Sequence, residues 1–172
     1  MRSEEYLLVE SRISQERANL ASLVDEMGRL GLYPGVRAQR IGGFDLADQE
    51  SMRILGSMLQ DFYTFFENIA KTVASRIDKS VPAGEDWHRE ILNQMTLPVV
   101  GIRPAVFSKE SGSLLEPYRG FRHVFRNVYG FQLDPGRVAE LVQRLPAVVS
   151  RVGGDLDKFV SEMRRAQGLP QP

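Results

Sequence analysis

Two long stretches of this chain carry apolar residues at three- and four-residue steps, which constrains the fold more than any other feature. In the first, Met52, Leu55, Leu59, Phe62, Phe66, Ile69, Val73 and Ile77 form one stripe. In the second, Val138, Leu141, Leu145, Val148, Val152, Leu156, Phe159 and Met163 do the same. That period belongs to an α-helix with one face in a core, not to a strand, whose apolar residues would alternate. Tyr63 and Phe65 broaden the first stripe, so the helix from about Leu46 to Asp78 is expected to be buried on more than one side.

The rest of the chain fits around these two helices. From Ser3 to about Leu30, Tyr6, Val9, Ile13, Leu20, Val24 and Met27 repeat with helical spacing between charges, and Gly31 with Pro34-Gly35 ends the run. "SVPAG" breaks the second helix, and Asp86 is placed to cap a short third one, "WHREILNQM". Residues 97–107, with two prolines and no helical period, suit an extended connector. Ser108 is placed to cap a further helix running to about Phe131. Asp134-Pro135 opens the last helix, with proline at the first helical position, and Pro146 is expected to bend it by removing a backbone donor. The expected architecture is all-α: an antiparallel bundle of four main helices plus one short helix. It forms a single domain over residues 1–172, with 168–172 as a disordered tail.

Charge and composition narrow the function. The 22 basic and 22 acidic side chains cancel, so attraction to a polyanion must come from a local patch. With no cysteine there is no disulfide framework and no thiolate metal site. No apolar run approaches membrane-spanning length, and "MRSEEYLLVESR" is unlike a secretory signal. The expectation is a cytoplasmic protein with no membrane partner and no cofactor.

The local patch is "RGFRHVFRNVYGF", residues 119–131. On a helix with Arg122 set at zero, Arg126 falls at about 40°, Arg119 at about 60°, His123 at about 100°, Asn127 at about 140° and Tyr129 at about −20°. Phe121, Phe125 and Val128 lie on the opposite side. No acidic residue occurs between Glu116 and Asp134. Either another helix supplies carboxylates to these arginines, or the face meets an anion such as phosphate. His123 is the side chain best suited to move a proton near neutral pH. The plainest alternative is a solvated or salt-bridged helix face. Trp87-His88 holds the only tryptophan and the only other histidine; Trp87 reads as a core anchor, and His88 as a residue able to approach a cleft. Two histidines make no metal site without further ligands at a known spacing.

"RHVFRNVY" resembles the signature of the HEPN superfamily, and of its HepT-like toxins in particular. Arg122 stands at the motif arginine, His123 at the polar position beside it and Tyr129 at the terminal tyrosine. "GEDWHREILNQM", "RPAVFSKES" and "YRGFRHVFRNVY" follow one another as in one HepT-like branch, and the likeness runs from about Leu46 to Phe159. The resemblance implies a metal-independent endoribonuclease, usually a homodimer whose two motif helices form one RNA-cleaving cleft. It implies a minimal nucleotidyltransferase antitoxin as partner, which transfers AMP to the motif tyrosine, here Tyr129, and no role in binding DNA. On this reading Arg122, His123 and Asn127 occupy the catalytic positions, with Arg119 and Arg126 as RNA-phosphate contacts.

The departure is Asn127, which stands where the family usually has the histidine of proton transfer. An amide is neither acid nor base at physiological pH, although it can orient a phosphate or a 2′-hydroxyl. Three accounts stay open: His123 has taken over catalysis, the chain is a binding-only relative, or the asparagine was introduced to tame a toxic protein. The alternative to a ribonuclease is a non-catalytic dimeric module that binds the nucleotidyltransferase.

Overall fold

The computed structural model describes residues 2–32, 40–127 and 133–171, and within them the chain is a helical bundle. Helix α1 is Ser3–Arg29, α2 Gln49–Val73, α3 Trp87–Met95, α4 Lys109–Asn127 and α5 Pro135–Ala166. This is the expected all-α arrangement of four main helices and one short one. Of the expected fourth main helix, residues 128–131 lie outside the described residues.

Two of the three caps read from sequence act as local chemistry dictates, whereas Asp86, expected to cap α3, makes no side-chain bond to the helix's first amides and accepts from the Arg89 guanidinium instead. The Ser108 hydroxyl accepts from the Ser111 N–H at 3.1 Å. A carboxylate oxygen of Asp134 accepts from the Gly136 and Arg137 amides at 2.8 and 3.3 Å, with Pro135 starting α5. Helix α5 continues through Pro146 as one element.

Helix α2 lies against all four other helices, which is why its apolar surface is so wide. Leu55, Leu59, Phe62, Tyr63, Phe66 and Val73 are all buried along it. Each such side chain contributes roughly 1.5–3 kcal/mol by leaving water. At Gly56 there is no room for a side chain beneath α4: a Cβ there would lie 2.5 Å from a ring carbon of Phe125. On α1 the stripe is rotated slightly from the expected one, with Leu23 buried and Val24 only half-buried. The two are neighbours in sequence, about 100° apart, and packing decides between them.

Four local features depart from the sequence reading. Between α1 and α2, β1 (Arg40–Ile41) and β2 (Phe44–Asp45) pair as a small antiparallel hairpin. Gly42 turns it at φ +59, so close to α1 that a Cβ would lie 3.1 Å from the Leu30 carbonyl carbon. Helix α2 closes in a π-helical turn, Ala74–Asp78, which places Asp78 against Arg103. The 97–107 segment is not simply extended. Val99 and Arg103 bridge, and Val106 and Phe107 return to the core with their amides on the Met95 carbonyl at 2.9 and 3.2 Å. The segment after α5, expected as a disordered tail, folds back: the Leu169 amide donates to the Arg164 carbonyl at 2.9 Å, and Leu169 packs against the core. No helix of the described residues is long and apolar enough to cross a membrane.

Candidate functional site

The site begins with a carboxylate in an unusual place. Glu67 follows Phe66 in the broad apolar face of α2, and its side chain is only 1% exposed. A buried carboxylate is costly unless cations and donors surround it. Three do. Lys71, one turn later on α2, places Nζ 2.6 Å from Oε1. His88, at the start of α3, places Nδ1 2.7 Å from Oε2. Arg122, from α4, donates from Nη2 to Oε1 at 3.4 Å. One carboxylate therefore joins three helices.

The His88 ring is fixed on other sides as well. It lies against Trp87, tilted by 31° with centroids 3.6 Å apart, and the Lys71 ammonium lies 4.5 Å from the Trp87 ring centre. Trp87 is half-buried and packs against the core, as expected of an anchor, and also serves as a platform for this cluster. The other imidazole nitrogen, Nε2, lies 3.3 Å from Nη1 of Arg122. Burial pushes the His88 imidazole below its ordinary value of 6.5; Glu67 pulls the other way, and the nearby Arg122 and Lys71 charges add to the depression. Arg122 Nε is buried and has no hydrogen-bond partner among the described residues.

Around this floor the helix face read from sequence divides into two parts. Arg119, Arg122 and His123 come together with His88, Gly120, Glu85 and Asp86 around a groove of about 220 Å³. Arg119 is held by Glu116, one turn back, through Nε at 2.8 Å and Nη2 at 2.6 Å. Asp86 is engaged by Arg89 at 2.7 Å. Arg126 and Asn127 are exposed and stand outside the groove lining. The Asn127 side-chain amide turns back on its own helix, donating to the His123 carbonyl at 2.8 Å. Tyr129 lies outside the described residues. Among the described residues, no group of three or more His, Asp or Glu side chains is arranged to hold a metal ion.

Sequence reasoning missed Glu67 and Lys71 and left His88 without a partner. The available signal was Glu67 itself, a carboxylate inside a stretch that otherwise reads as buried.

The fold and site define a class: a helical bundle whose late helix sets an arginine–histidine face over a buried carboxylate. A family model described as "HepT-like protein" matches residues 54–163, which span nearly all of α2 through α5 and enclose every residue of the site. The chain belongs to this HepT-like family of the HEPN superfamily. No curated protein and no solved structure matches the chain significantly.

Proposed function

We propose that the chain is the toxin half of a toxin–antitoxin pair, a homodimeric, metal-independent ribonuclease that cleaves RNA through the 2′-hydroxyl. The observation that carries this reading is Arg122, oriented by Glu67 and facing the same groove as Arg119 and His123. Its two contacts, at 3.3 and 3.4 Å, are long. A phosphate oxygen would take shorter, charge-assisted bonds of about 2.7–2.9 Å from the same guanidinium. Arg119 and the exposed Arg126 extend the cationic surface along α4. His123 is suited to protonating the leaving 5′-oxygen, while Asn127, turned back onto the His123 carbonyl, stands outside the groove. Substrate attack by its own 2′-hydroxyl restricts the reaction to RNA. In the pair, a minimal nucleotidyltransferase silences the toxin by transferring AMP to Tyr129.

The test is incubation of transfer and messenger RNA with the protein in a chelator. Wild type should cleave, and Arg122→Ala and His123→Ala should not. Equal background cleavage by all three refutes the enzymatic reading.

A second reading is favoured by the neutralisation of Arg119 by Glu116 and of Arg122 by Glu67. On that reading the chain is a non-catalytic dimeric module that binds the nucleotidyltransferase. It requires a co-purifying partner and AMP on Tyr129, with no RNA cleavage. Mass spectrometry after co-expression with a minimal nucleotidyltransferase reads both; an unmodified Tyr129 and no co-purified partner rule it out.

A further inference from the structure

The groove contains a second imidazole, and it is held the way catalytic bases are held. The Glu67 carboxylate already receives Lys71 and Arg122, so His88 Nδ1 donates to it at 2.7 Å and Nε2 keeps its lone pair. A side chain that fixes one ring nitrogen on a buried carboxylate and presents the other to a cleft has the orientation that general-base chemistry requires. The neighbouring Trp87 ring, tilted 31° against it with centroids 3.6 Å apart, covers one face of the imidazole. Nε2 points to Arg122 Nη1 at 3.3 Å, next to the cation that would hold the scissile phosphate. Asn127 has no comparable position: its amide donates to the His123 carbonyl at 2.8 Å and lies 3.5 Å from His123 Nε2, and it does not line the groove.

We infer that His88, oriented by Glu67, is the general base of this chain and supplies from α3 the proton transfer that Asn127 cannot supply from α4. The inference rests on the ribonuclease reading and deepens it. In the free protein the Arg122 N–H is donated to Nε2. A bound phosphate draws that N–H onto its own oxygen and frees the lone pair. Nε2 then takes the 2′-hydroxyl proton, the 2′-oxygen forms a bond to phosphorus, and the bond from phosphorus to the 5′-oxygen breaks. Its electron pair stays on the 5′-oxygen, which takes a proton from the His123 imidazolium. The products are a 2′,3′-cyclic phosphate and a 5′-hydroxyl, and His88 returns its proton to solvent. The groups facing His88 are Glu67 and Lys71 from α2, Arg122 from α4 and Asp86 beside it in the groove. The depressed basicity of the ring keeps it unprotonated and ready to accept at neutral pH.

The experiment is single-turnover cleavage of a defined oligoribonucleotide in a chelator from pH 5 to 9, with binding measured separately on the same oligomer carrying a 2′-deoxy scissile nucleotide. His88→Asn keeps a donor where Nδ1 stood, so the bond to Glu67 survives while Nε2 is removed. The expected result is a rate loss of about 10²–10⁴-fold with binding unchanged, and disappearance of the limb of the pH profile that rises with pH. His88→Ala should recover rate on addition of free imidazole. If wild type cleaves and His88→Asn matches its rate and pH profile, the inference fails and the ribonuclease reading stands. If the variants lose cleavage and binding together and imidazole restores nothing, His88 is structural and the inference again fails. If wild type itself cleaves no RNA at any pH, the ribonuclease reading is refuted and the inference falls with it.

Discussion

Replacing Glu67 with glutamine keeps the shape of the side chain and removes the charge on which three helices converge. Removing one partner of a buried ion pair costs about 3–5 kcal/mol, because the remaining charge stays desolvated. The Arg122 side chain is 12% exposed and cannot escape easily, whereas Lys71 is 40% exposed and can turn into water. The expected loss therefore sits at the lower end, about 3 kcal/mol. At about 2–4 °C per kcal/mol for a domain of this size, the melting temperature should fall by about 6–12 °C. Circular dichroism or calorimetry reads that change. A second consequence is local. Glu67 is the influence that raises His88's basicity, so without it the imidazole should titrate at still lower pH, visible in the NMR shift of its ring protons. A fall in melting temperature below about 2 °C, with an unmoved His88 titration, would refute the view that this carboxylate is the electrostatic centre of the bundle.

Gly56→Ala should destabilise despite alanine's better helix propensity: the new Cβ meets two Phe125 ring carbons at 2.5 and 2.8 Å. Overpacking of about 1–3 kcal/mol then outweighs a propensity gain of about 1 kcal/mol, and adding Phe125→Leu should recover part of the urea midpoint, the contact with Leu133 Cδ1 at 2.9 Å remaining. Arg103→Met should cost about 3–5 kcal/mol, because Asp78, only 5% exposed, loses its buried cation; the check is a lower midpoint at constant denaturant slope. Stability should also carry a His88-dependent pH slope. The folded ring binds its proton less readily than the unfolded one, whose value is 6.5, so its contribution is complete above that pH. It is lost as pH falls from 6.5 through the lower folded value, and the wild-type curve should drop relative to His88→Asn across that window.

The helices were legible because a 3.6-residue period records which face is buried, and in α2 and α5 that record is long. The arginine–histidine face was legible for the same reason, since Arg119, Arg122 and His123 are brought together by one helix alone. What escaped depends on contacts between helices. Glu67 and His88 are 21 residues apart, and Glu67 and Arg122 are 55 apart. No helical spacing links such residues; only the packing of α2 against α3 and α4 does. The β1–β2 hairpin escaped because strands of two residues are too short to display alternation. The choice of Leu23 over Val24 escaped because two adjacent aliphatic residues satisfy the period equally well.

The Arg103 guanidinium has a consequence for how this molecule opens. Its nitrogens reach both oxygens of Asp78 at 2.6 and 2.8 Å, and the carbonyls of Gln94, Leu97 and Pro104 at 3.2, 2.9 and 3.0 Å. The end of α2, the end of α3 and the connector beyond it are thus tied at one buried point. A nine-residue helix such as α3 would ordinarily fray on its own. Here it cannot leave without stripping a charge from Asp78. Amides in the last turns of α3 should therefore exchange with deuterium only through the same cooperative opening that exposes α2, so the two helices form one unfolding unit. The segment that carries His88 gains the rigidity of α2, the helix that packs against all the others.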